Sequence, residues 1–313
     1  MCGICGCADP TNQVTMTDMA SGKTSLLRTG PATEVPVGLS VAEAHAFAHA
    51  HGLPHDHDHG HAHAHAHDHG HDHGNQSQAE ATALHGGSVA LETAILAKND
   101  AIAQRNRGWF EGRGVLALNF VSSPGAGKTA LLEATIRALA GQVTITVIEG
   151  DQMTSNDAER IRAAGAAAIQ INTGAGCHLE ADMVAEAARA LNPPPGSLLL
   201  IENVGNLVCP AMFDLGEAMK IAVISTTEGE DKPLKYPHMF RAVKIVIVNK
   251  MDLAPHVGFD EAACCNNIRA VNPVAEIICV SAKTGQNLDA WLTRLLHLRT
   301  DLKFSSNYIN SLA

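Results

Sequence analysis

The chain has 313 residues, 46% of them hydrophobic and 17% charged, so it can bury a sizeable core and is not wholly disordered. The formal net charge of −10 argues against nucleic acid as a main partner, because phosphate binding needs a basic surface. No apolar run is long enough for a membrane span, and the N-terminus lacks the pattern of a secretory signal. We therefore expect a cytoplasmic protein whose eight cysteines are thiols or metal ligands rather than disulfides.

The composition changes sharply near residue 86, which predicts an N-terminal region over residues 1–85 and a globular domain over residues 86–313. The N-terminal region contains a cysteine cluster, a predicted linker over Ala8–Ala44 and a histidine-rich tract. From His55 to His73 every second residue is histidine. Because nothing between these histidines is apolar enough to pack, we expect the tract to be disordered without bound metal.

A helix is predicted from Ser88 to about Arg107, because apolar residues recur there at helical spacing and Ser88 can cap its start. Short apolar runs then alternate with helical stretches. The predicted strands are Val115–Val121, Val143–Ile148, Ala168–Ile171, Leu198–Ile201, Ile221–Ser225, Lys244–Val248 and Glu276–Val280. The predicted helices are Lys128–Ala140, Asp157–Ala164, Glu180–Leu191 and Asn287–Leu298. This alternation predicts an α/β fold with a mostly parallel seven-stranded sheet flanked by helices.

A glycine-rich loop lies between the first of these strands and the helix that begins at Lys128. Its sequence over residues 122–129, Ser-Ser-Pro-Gly-Ala-Gly-Lys-Thr, predicts a P-loop, whose backbone N–H groups wrap nucleotide phosphates. Lys128 would reach the β- and γ-phosphates, and the Thr129 hydroxyl would bind Mg²⁺. Ser122 stands where this pattern usually has its first glycine. The residues predicted to hold the phosphates are Gly125, Ala126, Gly127, Lys128 and Thr129.

Two further loops follow predicted strands and indicate guanine as the base. In Asn249-Lys250-Met251-Asp252 the Asp252 carboxylate could accept two hydrogen bonds that guanine offers and adenine does not. Ser281-Ala282-Lys283 resembles the matching guanine loop. Either could be a capped turn if taken alone, but their order after the P-loop, at strand ends where such sheets bind ligands, predicts GTP. The predicted base-binding residues are Asn249, Lys250, Asp252, Ser281, Ala282 and Lys283.

Three carboxylates are candidates for holding Mg²⁺ or sensing the γ-phosphate. Asp151 and Glu202 end predicted strands, and Asp157 begins a helix, where it could equally be an N-cap or a first-turn acid. Together with Lys128 and Thr129 they form the predicted catalytic set. No glutamine stands in an obvious position to orient the attacking water, so slow intrinsic hydrolysis is expected.

Three thiolates, Cys2, Cys5 and Cys7, lie within six residues of one another at the N-terminus. With the α-amine freed by removal of Met1, they could form a square-planar set for Ni²⁺ or a tetrahedral set for Zn²⁺. A redox pair, or thiols without a special role, is the alternative.

A second set of candidate metal ligands comprises Cys177, His178 and Cys209. Cys209 lies a few residues beyond Glu202, in the segment expected to respond to the γ-phosphate. A buried cysteine is often just a small apolar residue, but the adjacent histidine favours a metal site. Because one chain supplies three ligands, we expect the site at an interface between two copies.

The histidine-rich tract is the third candidate metal site. Dense neutral imidazoles bind Ni²⁺, Cu²⁺ or Zn²⁺ in many equivalent arrangements, which would store ions loosely, although the tract could also be a solvated spacer. The predicted ligands are His55, His57, His59, His61, His63, His65, His67, His69, His71 and His73.

These motifs together resemble the nickel-inserting GTPases of hydrogenase maturation, the HypB family. The resemblance rests on the cysteine cluster, the histidine tract, the P-loop, Asn249-Lys250-Met251-Asp252, and the segments Gly176–Glu180 and Glu202–Pro210. It implies a GTPase that uses Mg²⁺, cycles between GTP and GDP, and delivers nickel to the large-subunit precursor of a nickel–iron hydrogenase. It also implies a homodimer promoted by GTP and by shared Ni²⁺ or Zn²⁺, and a second nickel-binding maturation protein as a partner.

Two other functions remain open from the sequence. The chain could be a nickel storage protein whose nucleotide domain only regulates assembly, or it could serve urease rather than hydrogenase. In the favoured interpretation, movement of the segment from Glu202 to Cys209 would make metal affinity depend on the bound nucleotide.

Overall fold

The computed structural model describes residues 13–29, 76–152 and 156–310. The strands are β1 (Gln13–Asp18), β2 (Thr24–Thr29), β3 (Leu116–Ser122), β4 (Ile145–Asp151), β5 (Ala167–Asn172), β6 (Leu198–Glu202), β7 (Met219–Ser225), β8 (Ile245–Asn249) and β9 (Glu276–Cys279). The helices are α1 (Gln76–Gly112), α2 (Lys128–Ala138), α3 (Asn156–Ala164), α4 (Ala181–Leu191), α5 (Cys209–Met212), α6 (Lys232–Lys235), α7 (Pro237–Ala242), α8 (Ala254–Val257), α9 (Glu261–Val271) and α10 (Leu288–Asn310).

The strands form one twisted sheet in the order β2-β1-β5-β4-β6-β3-β7-β8-β9. The seven strands from β3 to β9 pair in parallel, which confirms the predicted α/β class and the seven strands expected from the sequence. Because parallel strands end at the same edge, the loops that follow β3, β4, β6 and β8 meet there.

The apolar core fills both faces of the sheet. The central strand β3 is buried along its whole length, as expected for a strand covered on both sides. On one face Phe120 packs edge-on against Trp291 of α10, with ring centroids 6.0 Å apart. The indole N–H of Trp291 donates to the Thr135 hydroxyl of α2 at 2.9 Å, so α10 and α2 are tied together over this face.

Residues 13–29 correct the prediction of a linker over Ala8–Ala44. They form a β-hairpin, and β1 pairs antiparallel with β5, so the sheet has nine strands among the described residues rather than seven. The run Val14-Thr15-Met16-Thr17 is β-prone and alternates apolar with polar residues, and Val14 is fully buried. Asp18 accepts hydrogen bonds from the two backbone N–H groups of Ala20 and Ser21, and closes the turn.

Several helices differ from the sequence prediction: the short helices α5 to α8 were not predicted, and α10 continues to Asn310 beyond its predicted end at Leu298. Helix α1 begins at Gln76 rather than Ser88, so Ser88 lies inside the helix instead of capping it. Helix α9 was not predicted, although Asp260 caps it by accepting from the backbone N–H of Ala263 at 2.9 Å. Cysteines and asparagines at its centre weaken the helical signal, and packing against β8 and β9 compensates.

Two of the predicted metal sites lie outside the described residues. They are the cysteine cluster of Cys2, Cys5 and Cys7 and the histidine tract over His55–His73. Within the described part of the chain, no helix is both long and apolar enough to cross a membrane.

Two substitutions in the hairpin, one at a buried and one at an exposed residue, test whether the hairpin is docked on the sheet in solution. Val14 belongs to the apolar cluster that includes Ile169, whereas Leu26 on β2 is 56% exposed. We expect Val14→Ala to lower the free energy of unfolding by about 2 kcal/mol and Leu26→Ala by less than about 0.5 kcal/mol. Urea denaturation measures both, and equal effects would contradict docking of the hairpin.

Candidate functional site

The loop between β3 and α2 has the backbone shape that phosphate binding needs. Gly125 and Gly127 have φ values of 75° and 92°, which side-chain-bearing residues rarely adopt. A Cβ at Gly127 would lie 2.5 Å from Nδ2 of Asn249, so only glycine fits there. The loop therefore leaves its N–H groups and the N-terminus of α2 open to an anion.

The functional side chains of this loop are buried and already bonded. Lys128 donates from Nζ to the Ser122 hydroxyl at 2.8 Å, which explains how serine replaces the usual first glycine. The Thr129 hydroxyl donates to Oε1 of Glu202 at 2.7 Å. Strand pairing sets this contact, because Glu202 on β6 is the register partner of Phe120 on β3.

A cavity of about 500 Å³ opens above the loop at the carboxyl edge of the sheet. It brings together all five residues predicted as catalytic, namely Lys128, Thr129, Asp151, Asp157 and Glu202. Glu149 and Arg160, which the sequence did not single out, also line it. Glu149 could have been found from the β4 pattern, since it is a charged residue directly after the apolar run that ends at Ile148.

The electrostatics of this cavity favour a bound cation. Burial, reinforced by the charges of Glu202, Asp151 and Asp157, raises the pKa of Glu149 to about 9. Burial also raises the pKa of Glu202 and lowers that of Lys128. The Oε2 atoms of Glu149 and Glu202 have no hydrogen-bond partner among the described residues. A divalent cation beside these oxygens would relieve the cost of burying them.

The structure shows where Asp157 lies, and its position agrees with either of the two roles considered for it. Helix α3 begins at Asn156, so Asp157 lies in its first turn rather than at the cap. Its carboxylate accepts from Arg160 Nη1 at 2.9 Å, and Arg160 also bonds Glu133 of α2 at 2.6 Å. Asp157 therefore stands at the cavity wall as part of an ion-pair network between α2 and α3.

The two predicted guanine loops lie side by side beyond the P-loop. Asn249 donates to the carbonyls of Ala126 and Gly127 at 3.1 and 3.2 Å, and accepts from the backbone N–H of Ala282 at 3.1 Å. The Ser281 hydroxyl donates to Asp252 at 2.6 Å. Asn249 thus joins all three loops.

The two lysines of these loops, Lys250 and Lys283, have different surroundings. Lys250 donates from Nζ to the Gly125 carbonyl at 2.6 Å and lines the phosphate cavity. Lys283 is exposed at the edge of the second loop. Asp252 and Ser281 lie outside the lining of the phosphate cavity.

Cys177, His178 and Cys209 are brought together as a buried cluster. Their possible ligand atoms all lie within 4.8 Å of one another. The two sulfur atoms are 2.9 Å apart, and Cys177 Sγ is 3.5 Å from Nδ1 of His178. The ring of His178 packs on Phe213 with centroids 4.0 Å apart. Two thiols and one imidazole at this spacing suit a borderline cation such as Ni²⁺ or Zn²⁺.

The segment from Glu202 to Cys209 connects this cluster to the P-loop. A Cβ at Gly205 would come within 3.1 Å of the Pro124 backbone, so this segment rests directly on the P-loop. Asn203 accepts from the backbone N–H of Leu179 at 3.1 Å.

Two further side chains bridge the cavity and the cluster. Asn206 donates to the Cys177 carbonyl at 3.4 Å. Gln152, which lines the phosphate cavity, donates to the carbonyl of Gly176 at 3.2 Å. The sequence did not indicate either residue, because an amide in a loop has no pattern that reveals its partner. The structure thus places a glutamine beside the cavity where none was expected.

Comparison with known proteins identifies the family of this chain. Residues 116–279 match the family described as CobW/HypB/UreG, nucleotide-binding domain. Hydrogenase maturation factor HypB of Rhizobium leguminosarum bv. viciae is 60% identical over 203 residues, which are 65% of this chain and 68% of that protein. Its counterpart in Escherichia coli K12 is 56% identical over 205 residues, which are 66% and 71% of the two chains.

Two solved structures are similar in fold as well as sequence. HypB from Helicobacter pylori in complex with nickel has a TM-score of 0.61 and 38% identity, and the match covers 65% of this chain and 96% of that one. HypB from Archaeoglobus fulgidus has the same TM-score and identity, covering 65% and 99%. The family match spans more than half of the chain and includes both the P-loop and the cluster at Cys177, and the chain therefore belongs to the HypB family of hydrogenase maturation factors.

Proposed function

We propose that this protein is a GTP-hydrolysing nickel metallochaperone that delivers nickel to the large-subunit precursor of a nickel–iron hydrogenase. The observation that carries the proposal is the segment from Glu202 to Cys209. Glu202 bonds the P-loop helix at Thr129, and Cys209 belongs to the buried cluster with Cys177 and His178. One segment therefore belongs to both the phosphate cavity and the metal cluster.

The phosphate cavity supports nucleotide hydrolysis through groups of this chain. Lys128 would leave Ser122 to bridge the β- and γ-phosphates, and the glycine-rich backbone would hold the phosphates in line for attack. Mg²⁺ would be held by Thr129 and Glu202, with Asp151 nearby, and would neutralise charge on the phosphates. The unbonded buried Oε2 of Glu202 fits such a role.

The base loops support GTP over ATP. Ser281 fixes the Asp252 carboxylate at 2.6 Å, and Asn249 holds both loops against the P-loop. A fixed carboxylate can accept from two adjacent guanine N–H groups, and adenine offers no such pair. Ala282 and Lys283 complete the pocket wall that would face the base.

Nickel is the proposed cargo of the cluster. The relative from Helicobacter pylori was solved in complex with nickel, and its chain is matched over 96% of its length. A single chain supplies two sulfurs and one ring nitrogen, whereas Zn²⁺ and Ni²⁺ commonly take four ligands. A second copy of the chain, brought in by GTP, would complete the set across an interface.

The N-terminal region is proposed to supply the ion. Cys2, Cys5 and Cys7 would bind one nickel tightly, and the histidine tract from His55 to His73 would store several loosely. A second nickel-binding maturation protein and the hydrogenase precursor would receive or relay the ion.

Base choice is tested at Asp252. Asp252→Asn replaces an oxygen acceptor with an N–H donor, so we expect GTP affinity to fall by about 2–3 kcal/mol and xanthosine triphosphate affinity to rise. Calorimetric titration with both nucleotides measures this. Asp100→Asn, the same change at an exposed position of α1, is the matched control. Unchanged GTP affinity in Asp252→Asn would disprove the guanine assignment.

Hydrolysis is tested at Lys128 and Thr129. Lys128→Ala removes the charge that bridges the phosphates, and Thr129→Ala removes the Mg²⁺ hydroxyl, so each should lower kcat at least about 100-fold. Phosphate release by purified protein is the measurement, with the exposed Lys235→Ala as control. Near-normal turnover in either variant would contradict the proposed P-loop chemistry.

Delivery is tested in cells that lack their own copy of the protein. Cys177→Ser and Cys209→Ser should each abolish hydrogenase activity at limiting nickel, because removing a thiolate leaves two ligands. Cys265→Ser, at a part-exposed cysteine of α9 that does not belong to the cluster, should retain activity. Removal of residues 45–73 should lower nickel tolerance alone. If the cluster variants matured hydrogenase normally and only the tract deletion mattered, the protein would be a storage device.

A further inference from the structure

Two buried asparagines of helix α1 hydrogen-bond to the backbone segments that follow the candidate metal ligands in the chain. Asn99 and Asn106 are each only 6% exposed. Seven residues apart, they lie two turns from each other on one face of the helix. Burying an amide is costly unless it is hydrogen-bonded, so their partners indicate what they do.

Both asparagines bind the same two backbone segments. Asn99 accepts from the backbone N–H of Ala181 at 2.9 Å and donates to the Asp214 carbonyl at 2.7 Å. Asn106 donates to the carbonyl of Ala181 at 2.7 Å and to that of Leu215 at 3.0 Å. Each side chain therefore connects one segment to the other.

These two segments carry the predicted metal ligands. Ala181 follows His178 by three residues, and Asp214 follows Cys209 by five. The segments also touch directly, because Phe213 packs on the ring of His178. The distance between the imidazole and the Cys209 thiol thus depends on where α1 holds each segment.

The contact between α1 and the second segment is close and specific. Gly216 has a φ of 88°, and a Cβ there would lie 2.5 Å from the carbonyl oxygen of Ala103. Arg107 adds a two-oxygen ion pair with Asp214 at 2.7 and 2.8 Å. The segment is therefore fixed against α1 along two turns of that helix.

We propose that Asn99 and Asn106 are positioning residues of the metal centre, which hold His178 and Cys209 at the spacing that a cation requires. The inference rests on the proposed function of the cluster. Groups that orient metal ligands from outside the coordination sphere commonly contribute a 10–100-fold factor to metal affinity.

A purely structural role of these asparagines predicts a different result from a positioning role. Asn99 also caps α4, because it accepts from the first N–H of that helix while Glu180 makes no side-chain cap. Loss of the cap alone would lower stability without changing the geometry of bound metal. A spectroscopic signature of the metal separates the two roles.

The experiment uses the full chain with Cys2, Cys5 and Cys7 changed to Ser, and Co²⁺ as the probe. The thiolate-to-cobalt charge-transfer band then reports cysteine ligation, which the histidine tract cannot produce. The variants are Asn99→Ala and Asn106→Ala, with Gln104→Ala, an exposed amide on the same helix, as control. Cys177→Ser in the same background shows whether the band arises from the cluster.

We expect each asparagine variant to weaken Co²⁺ binding by about 10–100-fold and to shift the d–d bands, with GTP affinity measured in the absence of Co²⁺ unchanged within about twofold. Unchanged affinity and bands would overturn the inference, as would a parallel loss of GTP and metal binding. A band that survives Cys177→Ser would instead disprove the proposed metal centre, and the inference with it.

A second variant covers the case in which the alanine variants do not fold. Asn99→Asp keeps the oxygen that accepts from Ala181, so α4 stays capped, and loses the N–H that holds Asp214. We expect this variant to bind Co²⁺ more weakly than the parent chain with normal GTP affinity, and equal Co²⁺ affinity would overturn the inference.

Discussion

One hydrogen bond, 2.7 Å from the Thr129 hydroxyl to Glu202, ties the helix after the P-loop to the segment that leads to Cys209. Its length depends on the parallel pairing of β3 with β6, which places the two loops next to each other. A bound Mg²⁺ would compete for both oxygens of this bond, because a hydroxyl and a carboxylate are its preferred ligands. Binding at the phosphate site would therefore act directly on the segment that supplies a metal ligand.

Much of the fold could be predicted from sequence because most of the strands from β3 to β9 contain short runs rich in Val, Ile, Leu and Ala, as expected for strands covered on both faces. The P-loop and the base loops were predictable for a related reason: each follows such a strand, so its place at the carboxyl edge follows from strand polarity. Ser122 departs from the P-loop pattern, and the structure explains it as the acceptor for Lys128.

Other parts depend on tertiary contacts that no local pattern carries. The hairpin of β1 and β2 is six residues per strand and is stabilised by pairing with β5, so its sequence resembles a linker. Asn203, Asn206 and Gln152 are loop amides whose partners are distant in sequence. The proximity of Cys177 and Cys209 was inferred from their neighbours, but the 2.9 Å between their sulfurs joins residues 32 positions apart and has no local sequence signal.

The coupling between nucleotide and metal is measured most directly by titrating Ni²⁺ into the full chain with Cys2, Cys5 and Cys7 changed to Ser, once with GDP and Mg²⁺ and once with a non-hydrolysable GTP analogue and Mg²⁺. Residues 13–29 must be kept, because β1 covers the edge of β5. The thiolate-to-nickel charge-transfer band isolates the cluster from the histidine tract. The proposed switch predicts nickel affinities that differ by about 5–150-fold between the two states, with the reciprocal change in nucleotide affinity. Equal affinities and stoichiometries in both states would show a static metal site and contradict the switch.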